Sequence, residues 1–172
     1  MWYNRSMEQV VQQISIENAV APLNACVFTG HRTVADSFKK SVLKKEVEKL
    51  VQSGVLTFYN GGAVGFDLVA AECVLSLKKK YPEIRLVLCV PCRDQDRNFS
   101  VEDKKRYEKV LKKADETVVL AEHYYKGCML VRNRYMVDRA DHMIAHLYKK
   151  SGGTAFTVHY FVKKQRSSPV FV

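Results

Sequence analysis

Short apolar runs alternate with amphipathic segments along the chain, and this alternation constrains the fold more than any other feature of the sequence. Six apolar runs are predicted to form strands, at 25–28, 55–59, 84–90, 117–121, 141–146 and 169–172. Strands that alternate with helices form a parallel sheet joined by right-handed crossovers. The sequence therefore predicts an α/β fold, a Rossmann-like doubly wound parallel sheet of about six strands with helices on both faces.

Capping signals indicate where two of the helices begin. Asp36 is predicted to cap the first helix, just ahead of apolar residues at helical spacing. Ser100 and Asp103 form a capping-box pattern ahead of a helix that is predicted to end near Lys113. On that helix the spacing predicts that Leu111 faces the core. Both helices would then pack against the predicted sheet.

The length of 172 residues suits one domain with its own core. We expect this domain to span 22–172, with 1–21 as an N-terminal extension that carries a short helix around 7–14. No apolar run is long enough to cross a bilayer, and the first residues lack the apolar stretch of a signal peptide. The sequence thus predicts a cytoplasmic protein without a membrane partner.

Five cysteines, an odd number, lie in apolar surroundings, as is typical of a reducing compartment. Cys89 and Cys92 form a CxxC pair, which in other contexts indicates a redox centre or half of a zinc site. Here the pair closes a predicted strand, and no further ligands appear at matching spacing. We therefore expect both cysteines to be structural and predict no metal site.

The formal net charge of +10 is high for a chain of this size. A basic surface attracts nucleic acid and other polyanions through counterion release. The lysine pairs are, however, dispersed over several predicted helices, where they also keep a helix face solvated. The sequence is compatible with a surface that binds nucleic acid and with a surface that is only solvated. It is also compatible with a homo-oligomer.

The segment 60–67, Asn-Gly-Gly-Ala-Val-Gly-Phe-Asp, says most about function. It joins a predicted buried strand to a predicted helix, and glycines let the backbone approach a ligand closely. The first N–H groups of a helix are unpaired and lie at its positive dipole end, so they favour an anion. The segment is neither a dinucleotide fingerprint nor a Walker A loop. A phosphate site and a tight turn that binds nothing are both compatible with it.

Polar and glycine clusters follow several other predicted strands. In an open parallel sheet, ligands bind beyond the carboxyl ends of the strands, so these clusters are expected to converge there. The predicted ligand-binding residues are Thr29, Gly30, His31, Arg32, Asn60, Gly61, Gly62, Ala63, Asp67, Arg132, Asn133, Gly152, Gly153, Thr154 and Thr157.

Several of these side chains have roles that follow from their chemistry. Because arginine offers a planar fork of donors, Arg32 or Arg132 is predicted to contact phosphate oxygens. Thr154 and Thr157, one helical turn apart, are predicted to present hydroxyls near a helix N-terminus.

Two residues are candidates for catalysis. Asp67 either accepts a hydrogen bond from a ribose hydroxyl or stabilises the dipole of its helix. His31 is either an acid–base group near neutral pH or a residue that only forms hydrogen bonds.

Four motifs follow one another along the chain: Phe28 to Arg32, Gly61 to Asp67, Arg132 to Val137 and Gly152 to Thr157. These motifs and their order resemble the YpsA-like branch of the SLOG superfamily, a group of bacterial Rossmann-like proteins. The resemblance runs from about residue 24 to the C-terminus and implies the same Rossmann-like fold.

Two related branches imply alternative functions. DNA-processing protein A has a similar glycine turn, comparable to Gly61 to Asp67, and an Arg-Asn-Arg run comparable to 132–134; that resemblance implies single-stranded DNA binding. The lysine-decarboxylase-like phosphoribohydrolases carry a catalytic glutamate after their glycine turn, whereas Thr157 or Val158 stands at that place here. Asp67 is the substitute carboxylate that this sequence offers for hydrolysis.

The residues and the resemblance together favour a module that binds or senses a nucleotide or a nucleotide-derived phosphate ligand. The alternatives are a nucleotide-processing hydrolase of the phosphoribohydrolase type and a single-stranded DNA-binding protein of the DNA-processing type. No cofactor is predicted beyond such a small phosphorylated ligand.

Overall fold

Six parallel strands form one sheet in the computed structural model, which describes residues 23–164 and 167–172. The strands are β1 (Ala25–Gly30), β2 (Thr57–Asn60), β3 (Arg85–Val90), β4 (Glu116–Val119), β5 (His142–His146) and β6 (Val170–Phe171). The helices are α1 (Lys40–Gln52), α2 (Phe66–Leu77), α3 (Val101–Lys113), α4 (Cys128–Val137) and α5 (Gly153–Lys163). The predicted Rossmann-like α/β fold is confirmed.

The order of the strands in the sheet is β4-β3-β2-β1-β5-β6. The chain moves outward from β1 to β4 and then returns to place β5 on the other side of β1. In the register, Val27 of β1 lies opposite Tyr59 of β2 and Met143 of β5. A reversal of this kind opens a crevice beyond the carboxyl ends of β1 and β5, where ligands bind in doubly wound folds.

Two apolar cores cover the two faces of the sheet. On one face, α1, α2 and α3 pack against the sheet, with buried side chains such as Leu43, Phe66 and Val110. On the other face, α4 and α5 contribute Met136 and Phe161. The inner strands are buried on both sides, which explains their continuous apolar sequence. β4, at one edge of the sheet, is largely exposed.

The start of α1 differs from the prediction. Asp36 does not cap this helix, because it lies within a turn in which the N–H of Phe38 donates to the carbonyl of Ala35 at 2.9 Å. The helix begins only at Lys40, and the preceding Lys39 makes no side-chain capping bond. The prediction was wrong because a local turn, which the helical spacing did not reveal, precedes the helix.

The cap of α3 was predicted correctly, whereas one of its inward positions was not. The Oγ of Ser100 accepts a hydrogen bond from the N–H of Asp103 at 3.1 Å, and the helix ends at Lys113. Tyr107 and Val110 are buried, but Leu111 is 38% exposed. One position beyond Val110 turns a side chain by about 100° around a helix, so Leu111 faces solvent.

All five cysteines are free, as expected for structural thiols, and Cys89 lies in β3 with Cys92 just beyond its end. Within 23–164 and 167–172, no helix is long and apolar enough to span a membrane. The same residues contain no group of three or more His, Cys, Asp or Glu side chains arranged to hold a metal ion. The predicted N-terminal extension, 1–21, lies outside the described residues.

Candidate functional site

The buried polar side chains of the described residues gather at one edge of the sheet. They lie at or just beyond the carboxyl ends of the strands, or within the first two turns of the helices that follow. They are Thr29, Asn60, Asp67, Gln95, Arg132, His146, Thr154 and Thr157. Because burying a polar group costs free energy unless it finds a partner, this concentration indicates a built polar site.

A cavity of 270 Å³ opens at this edge. Its walls come from the end of β1, the glycine turn after β2, the start of α2, the middle of α4 and the start of α5. Its lining residues are Phe28, Thr29, Gly30, His31, Arg32, Ala63, Asp67, Met129, Arg132, Asn133, Gly153 and Thr154. Ten of the fifteen predicted binding residues are among them.

The glycine turn uses several of its own polar groups internally. The N–H of Gly62 donates to the Oδ1 of Asn60 at 2.8 Å, and the Nδ2 of Asn60 donates to the carbonyl of Asp67 at 2.8 Å. The N–H of Ala63 donates to the Oδ2 of Asp67 at 3.4 Å. These N–H groups are therefore not free for a ligand, although the segment 60–67 was a candidate phosphate site. Asn60 and Gly62 shape the turn and do not line the cavity.

Gly61 allows α4 to approach the glycine turn closely. A Cβ on Gly61 would lie 2.1 Å from the Nη1 of Arg132 and 2.7 Å from the Oδ2 of Asp67. Real Cβ atoms do not approach other heavy atoms so closely, so a side chain at this position would have to displace Arg132 and Asp67. The absence of a side chain at Gly61 thus places the guanidinium of Arg132 beside the turn.

Three hydrogen bonds hold the buried Arg132 in a fixed orientation. Its Nε donates to the Oδ1 of Asn133 at 2.8 Å, while its Nη1 donates to the carbonyls of Gly61 and, at 3.2 Å, of Cys89. None of the described residues accepts a hydrogen bond from Nη2, so this donor is available to a ligand in the cavity. Burial lowers the pKa of Arg132, and the nearby Asp67 opposes this change.

A chain of hydrogen bonds connects Arg132 to the start of α5. The Nδ2 of Asn133 donates to the Oγ1 of Thr157 at 2.8 Å, and this hydroxyl donates to the carbonyl of Gly153 at 2.7 Å. Thr157 is fully buried and does not line the cavity. Its role is to hold α4 and α5 together, so that the guanidinium and the helix N-terminus face the same space.

The N-terminus of α5 contributes unpaired donors to the cavity. Gly152 precedes the helix with a φ of 97°, and the first α-helical bond runs from the N–H of Phe156 to its carbonyl. The N–H groups of Gly153, Thr154 and Ala155 have no acceptor among the residues that the structure describes. The first turn of this helix contains no acidic residue. Such an end carries a partial positive charge and favours an anion.

Asp67 lies in the wall of the same cavity. Burial raises the pKa of its carboxyl to about 6, and Arg132 and the N–H groups of Ala63 and Gly61 limit this rise. A carboxyl with this pKa is partly protonated near neutral pH, so it can accept or donate a proton.

His31 and Arg32 occupy the outer rim of the cavity. The N–H of Lys149 donates to the Nε2 of His31 at 3.3 Å, and the imidazole packs edge-on against Tyr148. Partial burial, together with Lys149 and His146, lowers the pKa of His31 and so favours the neutral form of its ring. Arg32 is exposed. It reaches the cavity from the solvent side, in contrast to the buried Arg132.

The remaining predicted residue, Gly152, lies outside the cavity and only forms the turn before α5. Two buried polar residues at this edge, His146 and Gln95, were not predicted as site residues. The Nε2 of Gln95 donates to the carbonyl of Gly61 at 3.1 Å. The signal that would have indicated Gln95 is its position in a polar loop directly after β3, at the same edge as the other clusters.

Comparisons with known proteins agree with this fold. A family model described as the YspA SLOG family, or YpsA, matches residues 22–171. A UPF0398 protein of Halalkalibacterium halodurans is 28% identical over 143 residues, covering 81% of this chain and 74% of that protein. The SPbeta prophage-derived protein YoqJ of Bacillus subtilis is 30% identical over 137 residues, covering 72% of this chain and 80% of that protein.

Two solved structures share the architecture. DNA processing protein A of Helicobacter pylori, which binds single-stranded DNA, has a TM-score of 0.65 at 19% identity, covering 86% of this chain and 64% of that chain. The protein of the same name from Streptococcus pneumoniae has a TM-score of 0.59 at 18% identity, covering 85% of this chain and 50% of that chain. The chain thus spans less than two thirds of either solved protein, and at these identities the likeness concerns the fold. The family model and the relatives establish that the chain belongs to the YpsA family of SLOG proteins.

Proposed function

We propose that the cavity binds the phosphate of a nucleotide or of a nucleotide-derived ligand, and that the protein holds or senses this ligand. One observation carries the proposal: Arg132, whose Nη2 has no acceptor among the described residues, lines the same cavity as Gly153 and Thr154, whose N–H groups are unpaired at the start of α5. A guanidinium keeps its charge at all physiological pH values and forms strong bonds to phosphate oxygens. Both groups favour an anion, and the bonds through Asn133 and Thr157 fix them before any ligand arrives.

Asp67 supports a ligand that is more than inorganic phosphate. A carboxylate repels a phosphate group, but it accepts hydrogen bonds from sugar hydroxyls. With Arg132 and Asp67 on the same cavity, the site offers a cationic part and an acceptor part. A ribose phosphate carries the complementary groups, an anionic phosphate and neutral hydroxyl donors.

Titration calorimetry with nucleoside 5′-phosphates, each compared with its parent nucleoside, tests the proposal. At least one nucleotide is expected to bind, and removal of its phosphate is expected to cost about 1.5–3 kcal/mol, which corresponds to roughly 10–150-fold in affinity. Binding is also expected to raise the melting temperature, because the ligand binds the folded state alone. Equal affinities for nucleotide and nucleoside would contradict the proposal.

Cleavage of a glycosidic bond is a second candidate, favoured by Asp67. Its pKa of about 6 suits a group that transfers a proton near neutral pH. Incubation of the protein with nucleoside 5′-phosphates, followed by chromatography for free base, tests this function. Free base that forms with the natural chain and not with Asp67→Asn would support catalysis. An unchanged nucleotide after long incubation would rule it out.

Single-stranded DNA binding is a third candidate, favoured by the net charge of +10 and by the fold shared with DNA processing protein A of Helicobacter pylori. Fluorescence anisotropy with a labelled oligonucleotide at several salt concentrations tests it. Affinity that falls steeply with salt is expected for phosphate-backbone binding.

We also propose a cytoplasmic location, because the free and mostly buried thiols suit a reducing compartment.

A further inference from the structure

A second cavity of 270 Å³ adjoins the phosphate site. The two share Arg32, Ala63 and Met129 as a common border. Each is small for a ligand site, but together they reach the range of roughly 300–1,000 Å³ that small-molecule sites occupy. The remaining lining residues of the second cavity are Val64, Cys92, Asp94, Gln95, Arg97, Asn98, Phe99 and Tyr124.

Gln95 is the buried polar side chain of this second cavity, and one of its two polar atoms lacks a hydrogen-bond partner. It is 8% exposed, and its Nε2 is occupied by the carbonyl of Gly61 at 3.1 Å. Its Oε1 is the one buried side-chain nitrogen or oxygen atom, among those in the described residues, that has no hydrogen-bond partner. A buried acceptor without a donor costs about 1–3 kcal/mol, so a ligand gains affinity if a small shift of the Gln95 side chain toward the cavity lets it supply the donor.

The orientation of the Gln95 amide is determined by its surroundings. If the amide were turned over, its oxygen would face the carbonyl oxygen of Gly61, and two acceptors would meet. The Oε1 atom is therefore an acceptor, and it can accept a hydrogen bond from an N–H or O–H group of a ligand.

Two aromatic side chains complete this cavity. The ring of Phe99 packs edge-on against Tyr107 with ring centres 5.5 Å apart, so it is held in place from behind. Tyr124 is 58% exposed and stands at the outer side. The N–H of Tyr124 donates to the Oδ1 of Asp94 at 3.1 Å, which ties its backbone to the loop that carries Gln95. Aromatic walls beside a buried unpaired acceptor suit a flat heteroaromatic ring that bears an amino group.

We propose that the second cavity receives the amine-bearing base of the nucleotide, with its amino group donating to the Oε1 of Gln95. This inference rests on the proposed phosphate site, because the phosphate and the base belong to one ligand that crosses the border at Arg32 and Ala63. The ring is that of a free nucleotide, because the two adjoining cavities together have the volume of a small-molecule site.

Calorimetry with three probes tests the base site: adenosine 5′-phosphate, purine riboside 5′-phosphate, which lacks the amino group, and ribose 5-phosphate, which lacks the base. Adenosine 5′-phosphate is expected to bind roughly tenfold more tightly than purine riboside 5′-phosphate. In Gln95→Leu this difference should vanish, while the affinity for ribose 5-phosphate stays within about twofold. The comparison of the two purines on the natural chain needs no variant, so it stands even if Gln95→Leu folds poorly.

The outcomes separate this inference from the proposed function. Equal affinities of the natural chain for all three probes would overturn the base site and leave the phosphate site intact. Absence of binding by all three and by every other nucleoside 5′-phosphate would overturn both. An oligomer of deoxyadenylate that binds far more tightly than adenosine 5′-phosphate, with an affinity lost at high salt, would show that the base comes from a strand, and this would also overturn the proposal.

Discussion

The guanidinium of Arg132 occupies the space in which a side chain at Gly61 would begin. The two residues are 71 positions apart in the chain, and the Nη1 of Arg132 donates to the carbonyl of Gly61. This contact joins α4 to the glycine turn that follows β2. It also explains why the turn contains glycine at a position where no ligand needs to approach the backbone.

Replacement of Gly61 by alanine is expected to lower the free energy of unfolding by about 1–3 kcal/mol, as overpacking of a filled interior usually does. The added Cβ must displace Arg132 or the carboxyl of Asp67. Gly153→Ala is the matched control, because a Cβ there meets no atom within 4 Å and its φ is not in the left-handed region. Denaturant unfolding of both variants measures the effect. Equal stability of Gly61→Ala and Gly153→Ala would show that the guanidinium of Arg132 does not lie against Gly61.

The hydroxyl of Thr157 is expected to support both stability and ligand binding. Thr157→Val keeps the shape of the side chain but leaves the Nδ2 of Asn133 without its acceptor, at a cost of about 1–3 kcal/mol. Because Asn133 also accepts from the Nε of Arg132, nucleotide affinity should fall as well. Thr157→Ser retains the hydroxyl and should keep most of both properties. Melting curves and calorimetry on the two variants distinguish these effects, and equal behaviour of valine and serine would refute the bridging role.

The raised pKa of Asp67 predicts a specific dependence of stability on pH. Because the folded-state pKa of about 6 lies above the ordinary value of 3.8, the folded protein binds the proton more tightly than the unfolded chain. The contribution of this group to stability is therefore present below about pH 4 and is lost as the pH rises through 6. The full difference is about 3 kcal/mol.

Asp67→Asn removes this titration while retaining an oxygen that can accept from the N–H of Ala63. Relative to the natural chain, the variant should gain stability as the pH rises from 4 to 7. Unfolding free energies measured at several pH values check this expectation. Parallel curves for the natural chain and the variant would show that the pKa of Asp67 is close to its ordinary value.

The alternation of apolar runs predicted the fold because the inner strands are buried on both faces, and such strands stay apolar throughout. The predicted cap at Asp36 was wrong, since a single turn between Ala35 and Phe38 delays the helix. Capping signals depend on a few local atoms and are easily displaced by such a turn.

The edge at which the site residues gather was predicted from topology, because parallel strands bring their carboxyl ends together. The hydrogen bonds within the glycine turn were not predictable from spacing. They depend on the side-chain orientations of Asn60 and Asp67, which point back into the turn. Gln95 approaches Gly61 from 34 positions away, and only the folded chain shows this contact.

The most direct test of the phosphate site compares Gly153→Asp with Gly153→Asn by titration calorimetry, using a nucleoside 5′-phosphate that binds the natural chain. Both side chains fit, because a Cβ at Gly153 meets no atom within 4 Å. Aspartate in the first turn of α5 should stabilise the free protein by about 0.3–1 kcal/mol through the helix dipole. The same charge should weaken nucleotide binding at least tenfold relative to asparagine. A tenfold change in affinity corresponds to about 1.4 kcal/mol of binding free energy. Equal nucleotide affinities of the two variants would show that the phosphate does not bind at the start of α5.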